Sequence, residues 1–275
     1  MKKLCWLFLF FLPCFLLIPF NTAYAKGEQK PVPDTVADPH SKYSAYYQVS
    51  LTRSCSAILI SSTAALTARH CVGREPAKRS GTIYPGQNLD KSPFGYMNIS
   101  TYTPHPKYDI AIIKGTLRDQ DKFYKYYIRP FTTTVRGYTD QELKGFVRQD
   151  VYSYGYPNRK PAPKKVQYRS DGQIYKYVKS PAPSLSTYMP GYSGQSGSGV
   201  FKKDGQFIGI ISTKTDKNTA NVLAFTTDIS HNGGVLFVLL VNSALDDEHF
   251  KDFHSSIPDS VVTVTFTLLI MVTAI

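Results

Sequence analysis

Cys55-Ser56-Ala57-Ile58-Leu59-Ile60-Ser61-Ser62-Thr63-Ala64-Ala65-Leu66-Thr67-Ala68-Arg69-His70-Cys71 is the stretch from which the rest of this chain is read. Its apolar run, Ala57 to Ile60, has the character of a buried strand, and cysteines 16 residues apart bracket the segment that ends on a histidine. In an exported chain such a pair is most simply a disulfide, Cys55 to Cys71, with two free thiols as the alternative. No second pair of metal-type ligands is spaced for zinc. Working outward, twenty Tyr, sixteen Phe, eighteen Gly and eighteen Pro produce many short β-type runs separated by turn residues. That pattern predicts an all-β architecture. The strands expected first are 45–51, 56–60, 110–114, 150–154, 207–212 and 221–226.

The chain opens with Met1-Lys2-Lys3, runs apolar from Leu4 to Phe20, and reaches Ala23-Tyr24-Ala25 before polar residues resume. This is the order of a secretory signal peptide cut after Ala25, with an uncleaved membrane anchor as the alternative. Residues 1–25 are therefore read as a leader, which carries Cys5 and Cys14 away with it. The remaining 250 residues suffice for one large domain or two small ones. Formal charge is +12, and +10 once Lys2 and Lys3 are lost, so anionic cell-envelope or host surfaces are expected to attract the protein. Residues 159–179 hold Arg159, Lys160, Lys164, Lys165, Arg169, Lys176 and Lys179 among tyrosines. Such a mixture can bind nucleic acid; Gln173 to Val178 also reads as one solvated strand, and no nucleic-acid partner is expected of an exported chain. Residues 26–42, with Pro31, Pro33 and Pro39, read as an irregular N-terminal extension. Ser243 to about Ser256 has helix signals, starting from a cap at Ser243 with Asp246 three residues on. Val261 to Ile275 is uncharged but shorter than a membrane-spanning helix wants. A strand, a short membrane tail and a disordered end all remain open for it.

Two further segments join the first: Tyr108-Asp109-Ile110-Ala111-Ile112, 39 residues on at the aspartate, and Gly194-Gln195-Ser196-Gly197-Ser198-Gly199, with its first serine 87 residues later. Singly, each has a plain structural reading: a satisfied histidine, a capping aspartate, a flexible Gly-Ser loop. Together they offer a base, a carboxylate to fix its tautomer, and a hydroxyl to attack. Glycines around the serine free backbone N–H groups to point at one spot.

On these motifs the chain resembles the secreted serine proteases of the chymotrypsin/trypsin family, over roughly Tyr46 to Thr226. Gln48 to Leu51 is similar to the family's opening strand, Cys55 and Cys71 to its first disulfide, and Leu66 to Cys71 to its histidine motif, with Arg69 where a second Ala is usual. Ser198 and Gln195, replacing the common Gly and Asp, look more like the bacterial branch that contains glutamyl endopeptidases and exfoliative toxins. The resemblance implies two Greek-key six-stranded β-barrels, at 43–130 and 131–242, followed by a short C-terminal helix and apolar tail at 243–275. It implies Ser196 as nucleophile, His70 as general base and Asp109 as its orienting carboxylate. The N–H groups of Gly194 and Ser196 would form the oxyanion hole. Pro190, Ser212, Thr213 and Lys214 would line the substrate cleft. Pro190, at the expected pocket floor, speaks against a Lys or Arg preference, and Ile211, where glutamyl endopeptidases carry a His, against Glu; Thr213 and Lys214 replace the usual pocket wall, where Lys214 would either restrict depth or favour an acidic group, and the choice stays open. No metal or organic cofactor is implied, and a monomer acting on proteins or peptides is expected. The rival reading is a catalytically silent member of the same fold that binds anionic surfaces or glycans. Because Gln195 is uncharged and residues 26–45 hold no Ile-Val-Gly-Gly-like start, activation by a charged chain terminus is not expected. Several different starts between Lys26 and Ser41 should then serve, with no strict dependence on one of them.

Overall fold

The computed structural model describes residues 27–131, 133, 135–158 and 165–226. The expected leader, the helix at 243–256, the tail at 261–275 and part of the basic stretch lie outside these residues. Among the described residues, no helix is long and apolar enough to cross a membrane.

Two antiparallel sheets make up the fold. The first uses β2 (Ser44–Gln48), β3 (Ser54–Leu59), β4 (Ala64–Thr67), β5 (Ala77–Lys78), β6 (Thr82–Pro85), β7 (Met97–Asn98), β8 (Thr101–Pro104) and β9 (Ala111–Lys114). Its order is β5-β8-β9-β4-β3-β2-β6-β7. The sheet curls until its ends meet: the Arg79 and Ser80 N–H groups donate to the Ser100 and Ile99 carbonyls, and the Ile99 N–H donates to Gly81. The second sheet uses β10 (Asp150–Gly155), β11 (Tyr168–Val178), β12 (Ser184–Pro190), β13 (Gly199–Lys202), β14 (Phe207–Lys214) and β15 (Thr219–Ala224). Because β12 pairs back onto β11, these six strands close into a barrel. The fold is thus all-β and trypsin-like, and each of the six strands expected first overlaps an observed one.

Side chains that alternate along a strand serve two cores. On β3 and β4, Ala57, Leu59 and Ala65 face the first core with Tyr47, Ile83 and Ile113. Ile58 and Leu66 face the other way, into the second core with Val200, Ile210 and Leu223. Strands β3, β4 and β9 are therefore apolar on both faces, which is why this part of the chain reads as continuous hydrophobic runs.

Two short helices fill the crossing between the sheets. α1 (Lys122–Tyr127) is capped by Asp121, which accepts from the Tyr124 N–H. α2 (Asp140–Gly145) carries a reciprocal box in which the Thr139 hydroxyl accepts from the Glu142 N–H and the Glu142 carboxylate accepts from the Thr139 N–H. Tyr124 and Ile128 pack into the first core; Val135, Tyr138, Leu143 and Phe146 pack into the second.

The segment read as an irregular extension differs from that expectation. Glu28–Pro31 forms a strand, β1, paired antiparallel with Tyr168–Asp171 of β11. Prolines punctuate the segment, but Pro31 ends an outer strand, where a missing N–H costs little. β1 covers an edge of β11 that would otherwise lie open.

Candidate active site

His70 sits on a single 3-10 turn, Arg69–Cys71, directly after β4. Three fastenings hold that turn. The Cys55–Cys71 disulfide ties it to β3, with Cα atoms 6.2 Å apart. The Tyr102 hydroxyl donates to the carbonyls of Arg69 and Gly73, at 2.9 and 2.5 Å. Burial pushes the Tyr102 pKa up to about 12, so the donor proton stays in place. The Arg69 guanidinium donates to the carbonyls of His105 and Pro106, both at 2.8 Å, fastening the turn that delivers Asp109. Inside that turn His105 is buried, and its Nδ1 accepts from the Lys107 and Tyr108 N–H groups. Burial, with Arg69 and Lys107 alongside, pushes the His105 pKa down to about 4, which keeps the ring neutral and able to accept.

Asp109 then meets His70 twice: its Oδ1 accepts from the His70 backbone N–H at 2.9 Å, and its Oδ2 lies 2.8 Å from His70 Nδ1. The Ser212 hydroxyl, on β14, donates to the same Oδ2 at 2.5 Å. Burial raises the Asp109 pKa, but the bonds from the His70 ring, Ser212 and the His70 backbone outweigh it and leave the group below the usual carboxylate range. An anionic Asp109 favours the tautomer of a neutral His70 that donates a hydrogen bond from Nδ1–H, the form in which Nε2 presents a lone pair. Ser196 Oγ stands 2.9 Å from that atom.

The turn that carries Ser196 is fixed through its backbone. The Ser193 carbonyl accepts from the Asn158 N–H at 2.6 Å, and the Gln195 carbonyl from the Ser198 N–H at 3.0 Å. In a trans peptide the N–H points away from its carbonyl, so the N–H groups of Gly194 and Ser196 are turned from these partners and have no internal acceptor among the described residues. Gly194 is required here: its φ is +92°, and a Cβ would lie 2.5 Å from the Tyr156 carbonyl oxygen. Strand β3 of the first barrel completes the support. The Ser56 N–H donates to the Ser196 carbonyl at 2.9 Å, and the Ser56 hydroxyl to the Gly194 carbonyl at 2.8 Å.

A cleft of about 580 Å³ opens over this group, lined among others by His70, Arg74, Tyr192, Ser196, Thr213 and Lys214. Of the four residues expected in the cleft, Ser212, Thr213 and Lys214 line it; Pro190 ends β12 and is not among the lining residues. Lys214 Nζ donates to Asn218 at its rim. The cysteine sulfurs close to His70 are joined to each other and offer no thiolate to a metal. Sequence reading missed Arg69 as a fastening, Tyr102, Ser56 and Asn158. Ser56 and Tyr102 reach a turn from a strand, Arg69 lies on the histidine turn itself, and Asn158 acts through its backbone N–H, so none of them leaves a local signal in the sequence.

Residues 55–210 match the trypsin-like peptidase domain, a span running from the first disulfide cysteine through His70, Asp109 and Ser196. The chain belongs to the trypsin-like peptidase family. The peptidase resembles a solved Glu endopeptidase structure, with 21% identity, a TM-score of 0.61, and 78% of this chain and 96% of that one covered. It also resembles protease Anisep from Arthrobacter nicotinovorans, at 16% identity and a TM-score of 0.55, with 76% and 98% covered. A third likeness is the thermostable serine protease AL20 from an extremophilic microorganism, at 14% identity and a TM-score of 0.54, with 71% and 97% covered. At these identities the neighbours speak for the fold. No curated protein sequence matches the chain. By family the peptidase is a serine-type endopeptidase, and its substrates are proteins or peptides.

Proposed function

We propose that the peptidase is an exported endopeptidase that cleaves through a Ser196–His70–Asp109 triad and an acyl-enzyme. The observation that carries this is the unbroken line from Asp109 Oδ2 through the His70 ring to Ser196 Oγ, with steps of 2.8 and 2.9 Å. In this reading the Ser196 hydroxyl gives its proton to His70 Nε2 as Oγ attacks the scissile carbonyl. Asp109 stays anionic and holds the imidazolium that forms. The carbonyl oxygen gains negative charge in the space toward which the Gly194 and Ser196 N–H groups point. His70 then hands its proton to the leaving amine, and water releases the acyl group by the same route in reverse. Export is supported by the leader-like N-terminus and by the disulfide, which suits an oxidising compartment.

The cleft lining adds a substrate class. Arg69, Arg74 and Lys214 line it, and its one carboxylate, Asp109, is committed to His70. A peptide bearing carboxylates near the scissile bond therefore fits it better than a basic one; Ile211, which lines the cleft where glutamyl endopeptidases carry a His, assigns that preference to the basic rim and not to a dedicated Glu pocket. Profiling a peptide library with the unaltered enzyme and with Ser196→Ala tests both points. We expect cleavage enriched beside acidic residues and abolished by the substitution. Cleavage by Ser196→Ala at the unaltered rate would refute the triad; enrichment beside Lys or Arg would refute the substrate class.

A further inference from the structure

Gln195, the residue before the proposed nucleophile, is completely buried. Its side chain is held by neutral partners alone. Oε1 accepts from the Tyr192 N–H at 2.8 Å and from Gln29 Nε2 at 3.3 Å, while Nε2 donates to Ser170 Oγ at 3.2 Å. Gln29 Nε2 donates to the same Ser170 Oγ at 2.7 Å. Two carboxamides and one hydroxyl thus join three places far apart in sequence: β1, β11 and the turn at 192–196.

We propose that β1 is a positioning element of the active site, and that the Gln29 carboxamide, acting through Gln195, sets the turn that presents the Gly194 and Ser196 N–H groups. The inference rests on the triad reading above. Gln29 lies directly opposite Ser170 in the β1–β11 ladder, so the strand's register places its carboxamide against Gln195. That register is fixed at both ends. The Val32 N–H donates to the Gln167 carbonyl at 2.9 Å, and a Cβ on Gly27 would lie 2.1 Å from the Tyr188 carbonyl oxygen, so the backbone there is pressed against the second barrel. Gln195 ties the start of the turn, at Tyr192, to its own position three residues on, and Gln29 anchors that tie from outside the turn. Without Gln29 the buried Gln195 Oε1 keeps only a bond from within the turn it must hold. A buried amide so deprived has reason to shift toward another partner. Small displacements of oxyanion donors act on the transition state more than on substrate binding.

A charged chain terminus is still not called for, but starts between Lys26 and Ser41 are not equivalent. Those that remove Gln29 should be impaired.

The test compares kcat and KM on one peptide substrate for the full chain, Gln29→Leu, Gln29→Glu, Lys30→Ala and Ser196→Ala, with a melting temperature for each. Gln29→Leu keeps the strand and removes the amide. Gln29→Glu keeps the size and replaces the donor with an acceptor, which covers the case in which the leucine variant fails to fold. Lys30 lies on the exposed side of β1, paired with Glu28. We expect both Gln29 variants to lose about tenfold in kcat, with KM within about twofold and melting within a few degrees of the parent. Lys30→Ala should match the parent. Unchanged kcat in the Gln29 variants, or an equal loss in Lys30→Ala, would overturn the inference while the triad stands. Undiminished turnover by Ser196→Ala would overturn the triad reading and this inference with it.

Discussion

The two halves of the active site are held in different ways. His70 and Asp109 hang from the first barrel by long side chains and a covalent bridge: the Arg69 guanidinium across two carbonyls, the Tyr102 hydroxyl across two more, and the Cys55–Cys71 disulfide. Ser196 sits in a second-barrel turn fixed by backbone hydrogen bonds and small neutral groups, several of which come from outside that barrel. The proposed base is held mainly from its own barrel, with the Ser212 hydroxyl of β14 reaching Asp109 from the second, whereas the proposed nucleophile depends on how β3 and β1 dock against the second barrel. Catalysis that needs both halves within hydrogen-bond reach is thereby coupled to barrel docking.

Substitutions on either side test that contrast. The largest effect is expected at the link between the halves: Asp109→Asn should cut kcat by about 10⁴, the figure known for this family's triad, because the amide favours the wrong tautomer of His70. Steady-state kinetics beside a melting curve would check it. On the side of the proposed nucleophile, Gly194→Ala forces a Cβ against the Tyr156 carbonyl and turns a proposed oxyanion donor; the expected loss in kcat is about 10²–10³ with KM little changed. Ser56→Ala tests docking across the barrels. It removes the donor to the Gly194 carbonyl and should lower kcat about tenfold, with much less effect on melting than a core cavity would have. The smallest effect is confined to the base side and to acid. His105 titrates near 4 when folded and near 6.5 when unfolded, so the unfolded chain binds its proton first as pH falls. Its contribution to stability is complete above about pH 6.5, declines toward pH 4 and is flat below. Denaturant midpoints for His105→Asn should therefore fall less between pH 6.5 and 4 than those of the parent.

Legibility in the sequence follows the same contrast. The grouping of His70, Asp109 and Ser196 was legible because each lies in a short local pattern, and six of the strands, drawn from both barrels, were legible as β-type runs between turn residues. α2 carried a readable sign, Thr139 with Glu142 three residues on, but the helix is six residues long and is outweighed by the surrounding strand pattern. β1 was obscured by its prolines, since pairing with β11, more than 130 residues away, leaves no local trace. The same holds for Ser56, Asn158 and Gln29, which act on the nucleophile turn through contacts made only on folding. Pro190 was expected in the cleft from the family resemblance, and the end of β12 does not bring it there.

Central to the proposed chemistry is that Ser196 is activated where it stands, by His70, in a turn that already presents two N–H donors. Treating the folded protein with a fluorophosphonate and locating the adduct by tandem mass spectrometry tests this most directly. One adduct per chain on Ser196, lost in His70→Ala and absent after unfolding, is the predicted result. No adduct on the folded protein, or labelling that ignores the loss of His70, would contradict it.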